Sequence, residues 1–90
     1  MIVAAINHRV PDYDRWKAVY DTFPPTSGGA RFARVNRAVG DANLVTVVAG
    51  FDSVDAAKTF LENPDLKAKM REAGIVDPPR IEIYEEVEVI

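Results

Sequence analysis

His8 is the only histidine of the chain and the residue best suited to proton transfer. It ends a short apolar run, and Asp12 follows four positions later. Because an imidazole titrates near neutral pH, His8 could act as a catalytic general acid or base at the mouth of a pocket. The alternative is a histidine at a strand end that is hydrogen-bonded to Asp12 or to a backbone carbonyl.

A stripe of aromatic residues provides a second candidate element of a site. Its members recur at intervals of three, four and three positions, which places them on one face of a helix: Tyr13, Trp16, Tyr20 and Phe23. Such a stripe could line a pocket for a flat organic ligand, or it could be ordinary core. The tyrosine hydroxyls need polar surroundings, which favours a pocket. Three apolar residues of later elements complete the candidate ligand-binding set, namely Phe51, Phe60 and Met70.

Residues 31–39 alternate in character and carry two arginines and an asparagine. The alternation places Arg34 and Asn36 on one face of a strand and Arg37 on the other. An arginine inside a pocket would bind a carboxylate or an enolate through two parallel hydrogen bonds, so Arg34 is the candidate catalytic partner of His8. Asn36 is a candidate ligand-binding residue. The competing interpretation is an edge strand whose charges prevent aggregation.

Other reaction chemistries find little support in the residues. Ser27 and Ser53 occupy turn and cap positions, so neither is placed to form a catalytic triad with His8. The lone histidine has no metal-ligand spacing around it, and we predict neither a metal site nor a cofactor. The chain has no cysteine, which excludes disulfides and thiolate catalysis and is compatible with the cytoplasm, where we expect the protein.

Composition also restricts the partners. A net charge of −3 provides no general basic field for nucleic acid. No apolar run approaches the roughly 18 residues of a membrane span, so we expect no membrane association. The hydrophobic fraction of 48% exceeds what the thin core of a 90-residue domain needs. We therefore expect apolar surface to be buried against a second copy of the chain.

The order of the predicted elements is β-α-β-β-α-β. Residues 2–6 and 44–51 are continuously apolar, as in central strands, whereas residues 31–39 and 80–90 carry charges, as in edge strands. That distribution fits the strand order 4-1-3-2 of a ferredoxin-like α+β fold with a four-stranded antiparallel sheet. We predict a single domain spanning residues 1–90.

Caps and turns delimit the helices. The first helix is predicted from an Asp12 cap to about Thr22, followed by a flexible loop over residues 26–29 and later a hairpin turn over residues 40–43. The second helical region begins at Asp52 or Ser53. It restarts with Asn63 as the N-cap and Pro64 at the first helical position. It ends before Gly74, a residue that commonly follows the last turn of a helix.

With these elements placed, the sequence resembles the dimeric α+β barrel superfamily, which includes the antibiotic biosynthesis monooxygenases. It looks most similar to small bacterial proteins of which some are labelled cyclases. The resemblance covers nearly the whole chain and rests on the segments at residues 8–16, 52–61 and 64–74. It implies a homodimer whose sheets pack face to face, with a pocket in each subunit between its sheet and its helices. The heme-degrading relatives use a helix-borne histidine, whereas His8 lies on a strand.

The resemblance and the residues together predict a protein that binds or acts on a small aromatic or polyketide-like molecule. A monooxygenase, cyclase or isomerase that needs no cofactor is one interpretation. The alternatives are a non-catalytic ligand-binding dimer and a structural or stress-type dimer whose pocket is filled by side chains.

Glutamates at positions 82, 85, 86 and 88 would meet the arginines of a second subunit if the two edge strands run side by side, or would simply be solvated.

Overall fold

The computed structural model describes every residue from Met1 to Ile90, and its two most apolar strands lie at the centre of the sheet. The central strand β1 (Ile2–Arg9) pairs antiparallel with β3 (Asp41–Phe51) and with β4 (Arg80–Glu85). The remaining strand, β2 (Phe32–Ala38), pairs with β3 alone. The strand order is therefore β2-β3-β1-β4, which confirms the predicted ferredoxin-like order.

The sheet has one face covered by helices and one open face. Along β1, Ala4, Ile6 and His8 are buried, whereas the alternate residues Val3 and Ala5 are only half-buried. Strand pairing carries this alternation across the sheet. Ile6, His8 and the residues that pair with them on neighbouring strands therefore lie on the helix-covered face. Val3, Ala5, Asn7 and the residues that pair with them lie on the open face.

Three α-helices and one short 3₁₀ helix cover the sheet. They are α1 (Tyr13–Tyr20), the 3₁₀ helix (Pro25–Gly28), α2 (Val54–Leu61) and α3 (Pro64–Glu72). The Ser53 side chain accepts a hydrogen bond from the Ala56 N–H at 3.0 Å, and Asn63 accepts one from the Asp65 N–H at 2.8 Å. Ser53 rather than Asp52 is therefore the cap of α2. Gly74 follows α3 with a φ of 82°, as a C-terminal glycine does.

The side-chain hydrogen bond at the start of α1 comes from a distant part of the chain. Asp12 occupies the cap position with extended backbone, but its side chain makes no capping hydrogen bond. The N–H of Tyr13 donates instead to Oδ1 of Asn43 at 3.0 Å. The carbonyl of Asn43 also accepts from the N–H of Val10 at 2.8 Å. Asn43 thereby fastens the start of β3 to the start of α1. Asp12 is the N-cap residue as predicted, but its carboxylate does not provide the capping hydrogen bond.

Three further segments differ from the sequence-based prediction. The predicted loop over residues 26–29 is mostly the 3₁₀ helix, which Gly29 ends with a φ of 100°. The hairpin turn consists of Val39 and Gly40, and β3 begins at Asp41. Strand β4 ends at Glu85 rather than at residue 90, because Glu85 already pairs with the first residue of β1 and no strand extends beyond it.

The helix layer is packed unevenly against the sheet. Phe51 of β3 and Phe60 of α2 are among the most deeply buried side chains of the core. Helix α3 buries no residue, and its carboxyl end is held by the Arg15 guanidinium, which donates to the carbonyl of Glu72 at 2.9 Å. None of the helices is both long and apolar enough to cross a bilayer.

Candidate functional site

A small cavity lies between the helix-covered face of the sheet and the helices. Its volume is about 40 Å³, and most of its lining is hydrophobic. The sheet provides its floor, α1 and α2 its sides, and α3 its outer wall. The lining residues are Ile6, His8, Trp16, Val19, Tyr20, Phe23, Pro25, Val47, Phe60, Leu66, Lys69 and Met70.

His8 is the polar group on the floor of this cavity. Only 7% of the residue is exposed, and neither Nδ1 nor Nε2 has a hydrogen-bond partner. The predictions of a position at the pocket mouth and of a bond to Asp12 or to a carbonyl are both wrong. His8 follows Ile6 by two positions in β1, so its side chain points into the protein beside that residue. Burial lowers the pKa of His8, which keeps the imidazole neutral at pH 7.

Two aromatic residues of α1 line the cavity beside His8. The Trp16 indole makes an edge-to-face contact with the imidazole, with ring centroids 5.5 Å apart and planes at 75°. Trp16 also packs against Tyr20, at 5.0 Å between ring centroids. Burial raises the pKa of the Tyr20 hydroxyl, against the opposing effect of the Lys17 ammonium, so the group remains a hydrogen-bond donor at neutral pH.

Tyr13 lies outside the cavity although it belongs to the same aromatic stripe. Its ring packs on Trp16 at 5.8 Å between centroids, and the Arg37 guanidinium lies over it at 4.3 Å from the ring centroid. Tyr13 therefore closes off the end of the stripe and supports Trp16. The prediction that its side chain contacts a ligand receives no support from this position.

The later aromatic residues divide in the same way. Phe60 lines the cavity and stacks on Phe23, with ring centroids 6.0 Å apart. Phe51 is completely buried behind Phe60, at 5.7 Å between centroids, and does not reach the cavity. Met70 lines the outer wall together with Lys69, a residue that the sequence analysis missed. The spacing of Leu66, Lys69 and Met70 by three and four positions was the available signal.

Arg34 and Asn36 lie on the opposite face of the sheet from His8. Arg34 pairs with Val48 and Asn36 with Thr46, both in rows of the open face, and the Arg34 guanidinium lies 4.4 Å from the ring centroid of Phe32. Arg34 therefore cannot serve as the partner of His8 within one subunit. Asn36 lines a separate polar hollow on the open face, whose other residues include Asn7, Thr46, Arg80, Glu82 and Tyr84.

The cavity combines a neutral imidazole with apolar surroundings. One nitrogen of a neutral imidazole accepts a hydrogen bond and the other donates one, so His8 can take a proton from a ligand and return it. Tyr20, which lines the same cavity, carries a further hydrogen-bond donor. The chain contains no group of three or more histidine, aspartate or glutamate side chains placed to hold a metal ion.

Comparison with known proteins relates the chain to others through its fold. No protein-family model matches the sequence, and no curated protein matches it. A candidate antibiotic biosynthesis monooxygenase from Bordetella bronchiseptica superposes with a TM-score of 0.78 at 17% identity, over 97% of each chain. A second one, from Deinococcus radiodurans, gives 0.78 at 14% identity, over 100% of this chain and 96% of its own.

SnoaB, a cofactor-independent oxygenase from Streptomyces nogalater, has an equally similar structure. It superposes with a TM-score of 0.79 at 12% identity, over 99% of this chain and 95% of SnoaB. Both chains are thus matched over nearly their full lengths. The protein therefore has the ferredoxin-like α+β fold of the antibiotic biosynthesis monooxygenase-like proteins.

Proposed function

We propose that the cavity binds a small aromatic molecule and that His8 exchanges a proton with a hydroxyl or an acidic C–H of that molecule. The supporting observation is the pair of unpartnered nitrogens of the buried imidazole. A buried polar group without a partner costs about 1–3 kcal/mol. Natural proteins retain such a group chiefly where a ligand, a water or a reaction uses it.

The proton transfer follows from the environment of His8. A neutral imidazole accepts the proton of a ligand hydroxyl, which leaves an imidazolium beside an anionic ligand. Because apolar residues exclude water around the pair, their mutual attraction is stronger than in bulk solvent. Since burial lowers the pKa of His8, the imidazolium gives its proton back readily once the ligand has reacted.

The present volume sets a condition on ligand entry. A cavity that holds benzene measures about 150 Å³, whereas this one measures about 40 Å³ and has room for water only. An aromatic ring must therefore displace side chains of the outer wall. Leu66 and Met70 are only half-buried there, and the flexible methionine side chain adapts easily to a new neighbour.

Trp16 provides the binding assay, because it is the only tryptophan and lines the cavity. Phenol, 2-naphthol and toluene would be titrated into the wild type and a His8→Leu variant while tryptophan emission is recorded. We expect the phenols to bind the wild type on the order of tenfold more tightly than the variant, because one hydrogen bond to a buried group is lost. Toluene should bind both proteins alike.

Two results would count against this proposal. Equal phenol affinity of the two proteins would show that His8 does not meet the ligand hydroxyl. A failure of all three compounds to shift the emission would favour a structural protein whose cavity is closed. SnoaB is a cofactor-independent oxygenase. Oxygen uptake with the compounds that bind would therefore distinguish an enzyme of that kind from a non-catalytic binding protein.

We also propose that the open face is covered by a second copy of the chain. This face presents Val3, Ala5 and Val48, together with the exposed side chains of Leu44 and Tyr84. Apolar side chains grouped on an exposed sheet face mark a surface that interacts with a partner. A standard protein interface buries about 800 Å² on each partner, an area that a four-stranded sheet can supply.

The charges of the edge strands favour one arrangement of the two sheets. Arg34 lies on β2 at one edge of the open face, and Glu82 lies on β4 at the other. A two-fold axis parallel to the strands would place β2 of each subunit over β4 of the other. Opposite charges would then meet twice across the interface.

Sedimentation velocity tests this arrangement. Arg34→Glu should weaken the dimer, and the double variant Arg34→Glu, Glu82→Arg should restore it, because the charges are exchanged but remain complementary. Lys58→Glu, on the exposed side of α2, is the matched control and should leave the assembly unchanged. A wild type that sediments as a monomer at micromolar concentration would overturn the proposal.

A further inference from the structure

Lys69 is the one cation of α3 that reaches the cavity. The helix carries Lys67, Lys69 and Arg71, but only Lys69 shares a face with the lining residues Leu66 and Met70. The other two side chains are exposed to solvent. Helical spacing thus makes Lys69 the only cation of α3 in a lining that is otherwise mostly apolar.

This ammonium group is weakly engaged within the protein. Its partner is Glu72, at 3.5 Å, with 36% of the Lys69 side chain exposed. A charge-assisted hydrogen bond is shorter, at about 2.7–2.9 Å. Lys17 on α1 shows the contrast, because its ammonium lies 2.6 Å from Asp21. Lys69 can therefore turn to an anionic ligand without giving up a strong bond.

The cavity consequently has two different polar ends. His8 lies on the floor, buried and neutral, and Lys69 lies in the outer wall, partly exposed and positively charged. Most of the surface between them is apolar. We propose that the ligands are small aromatic carboxylates with a ring hydroxyl, an inference that rests on the proposed function. The carboxylate would pair with the Lys69 ammonium, and the hydroxyl would form a hydrogen bond with His8.

Matched acids and amides test this assignment. Tryptophan emission would report the binding of 3- and 4-hydroxybenzoate and of the corresponding hydroxybenzamides, which keep the ring and the hydroxyl but lack the charge. Of the two hydroxybenzoates, we expect the one that binds the wild type more tightly to exceed the affinity of its own amide on the order of fivefold at low salt. This is the size expected for a partly exposed ion pair. High salt should reduce this preference.

Two variants locate the source of the preference. Lys69→Gln should bind acid and amide alike, whereas Lys67→Gln removes the same charge from the exposed side of α3 and should retain the preference. Equal loss in both variants, or no loss in either, would assign the effect to the general field of the helix and overturn the role of Lys69. Far-ultraviolet circular dichroism would verify that both variants are folded.

The outcomes for the two proposals are distinguishable. If the wild type binds acid and amide equally well, the carboxylate assignment is wrong while the proposed binding of aromatic molecules stands. If neither acid nor amide binds but phenol does, the carboxylate assignment is again wrong. If no aromatic compound binds, both proposals are overturned.

Discussion

Replacing His8 by leucine should stabilise the protein, because the imidazole is buried without hydrogen-bond partners. Leucine has a similar volume and no polar atom. An unpaired buried polar group costs about 1–3 kcal/mol, and an apolar group of similar shape removes that cost. We therefore expect the free energy of unfolding to rise by about 1–3 kcal/mol, with a melting temperature higher by roughly 4–8 °C for each kcal/mol in a domain of this size.

The same substitution should also abolish a pH dependence of stability. Burial lowers the pKa of His8 from its ordinary value of 6.5. As the pH falls below 6.5, the unfolded chain binds a proton at His8 that the folded chain excludes, so the folded state loses stability. The loss is about 1.4 kcal/mol per pH unit until the folded-state pKa is reached. Above 6.5 the histidine is neutral in both states and contributes no slope.

Guanidinium denaturation followed by circular dichroism measures both effects, at one protein concentration and at pH values on either side of 6.5. His8→Gln is the matched control, because it retains polar atoms at the buried position and should not gain stability. A leucine variant less stable than the wild type above pH 6.5 would refute the reasoning. So would a wild type and a leucine variant with the same pH slope, since the chain has no other histidine.

Three further predictions concern packing and capping. Trp16→Phe should lower the free energy of unfolding by about 1–2 kcal/mol through lost buried volume, measured by circular dichroism because the fluorophore is removed. Asn43→Ala leaves the Tyr13 N–H uncapped and should cost about 1 kcal/mol, and an unchanged denaturation midpoint would contradict the cap. Gly28→Ala places a methyl group in collision with Cδ1 of Phe60 and should cost about 1–3 kcal/mol by overpacking. Gly29→Ala is the control for Gly28→Ala, because a methyl group at position 29 has no atom within 4 Å and its cost would come from the φ of 100° alone.

The strand order could be predicted because the two central strands are the most apolar segments of the sequence. The apolar runs of β1 and β3 distinguish central strands from the charged edges β2 and β4. Local caps were equally accessible, since Ser53 and Asn63 bond to N–H groups two or three residues away. The Asn43 cap was not, because the hydrogen bond joins residues 30 positions apart.

The candidate site was harder to predict because alternation does not say which face of a strand is covered. In β2 both faces carry apolar residues, so the positions of Arg34 and Arg37 depend on the register with β3. In β1 residues 2–6 are all apolar, so their pattern did not show that His8 shares the helix-covered face with Ile6. Whether a cavity remains beside it depends on the packing of α1, α2 and α3 together, which no single segment encodes.

The loose attachment of α3 has a consequence for the kinetics of ligand exchange. This helix supplies Leu66, Lys69 and Met70 to the cavity lining yet buries no residue of its own, and the Arg15 hydrogen bond holds only its carboxyl end. Elements with few buried apolar groups open at a lower free energy than the rest of a fold. Amide hydrogens of α3 should therefore exchange with solvent faster than those of β1 and β3. The dissociation rate of a bound molecule would then be set by how often α3 opens, and not by diffusion of the molecule out of the cavity.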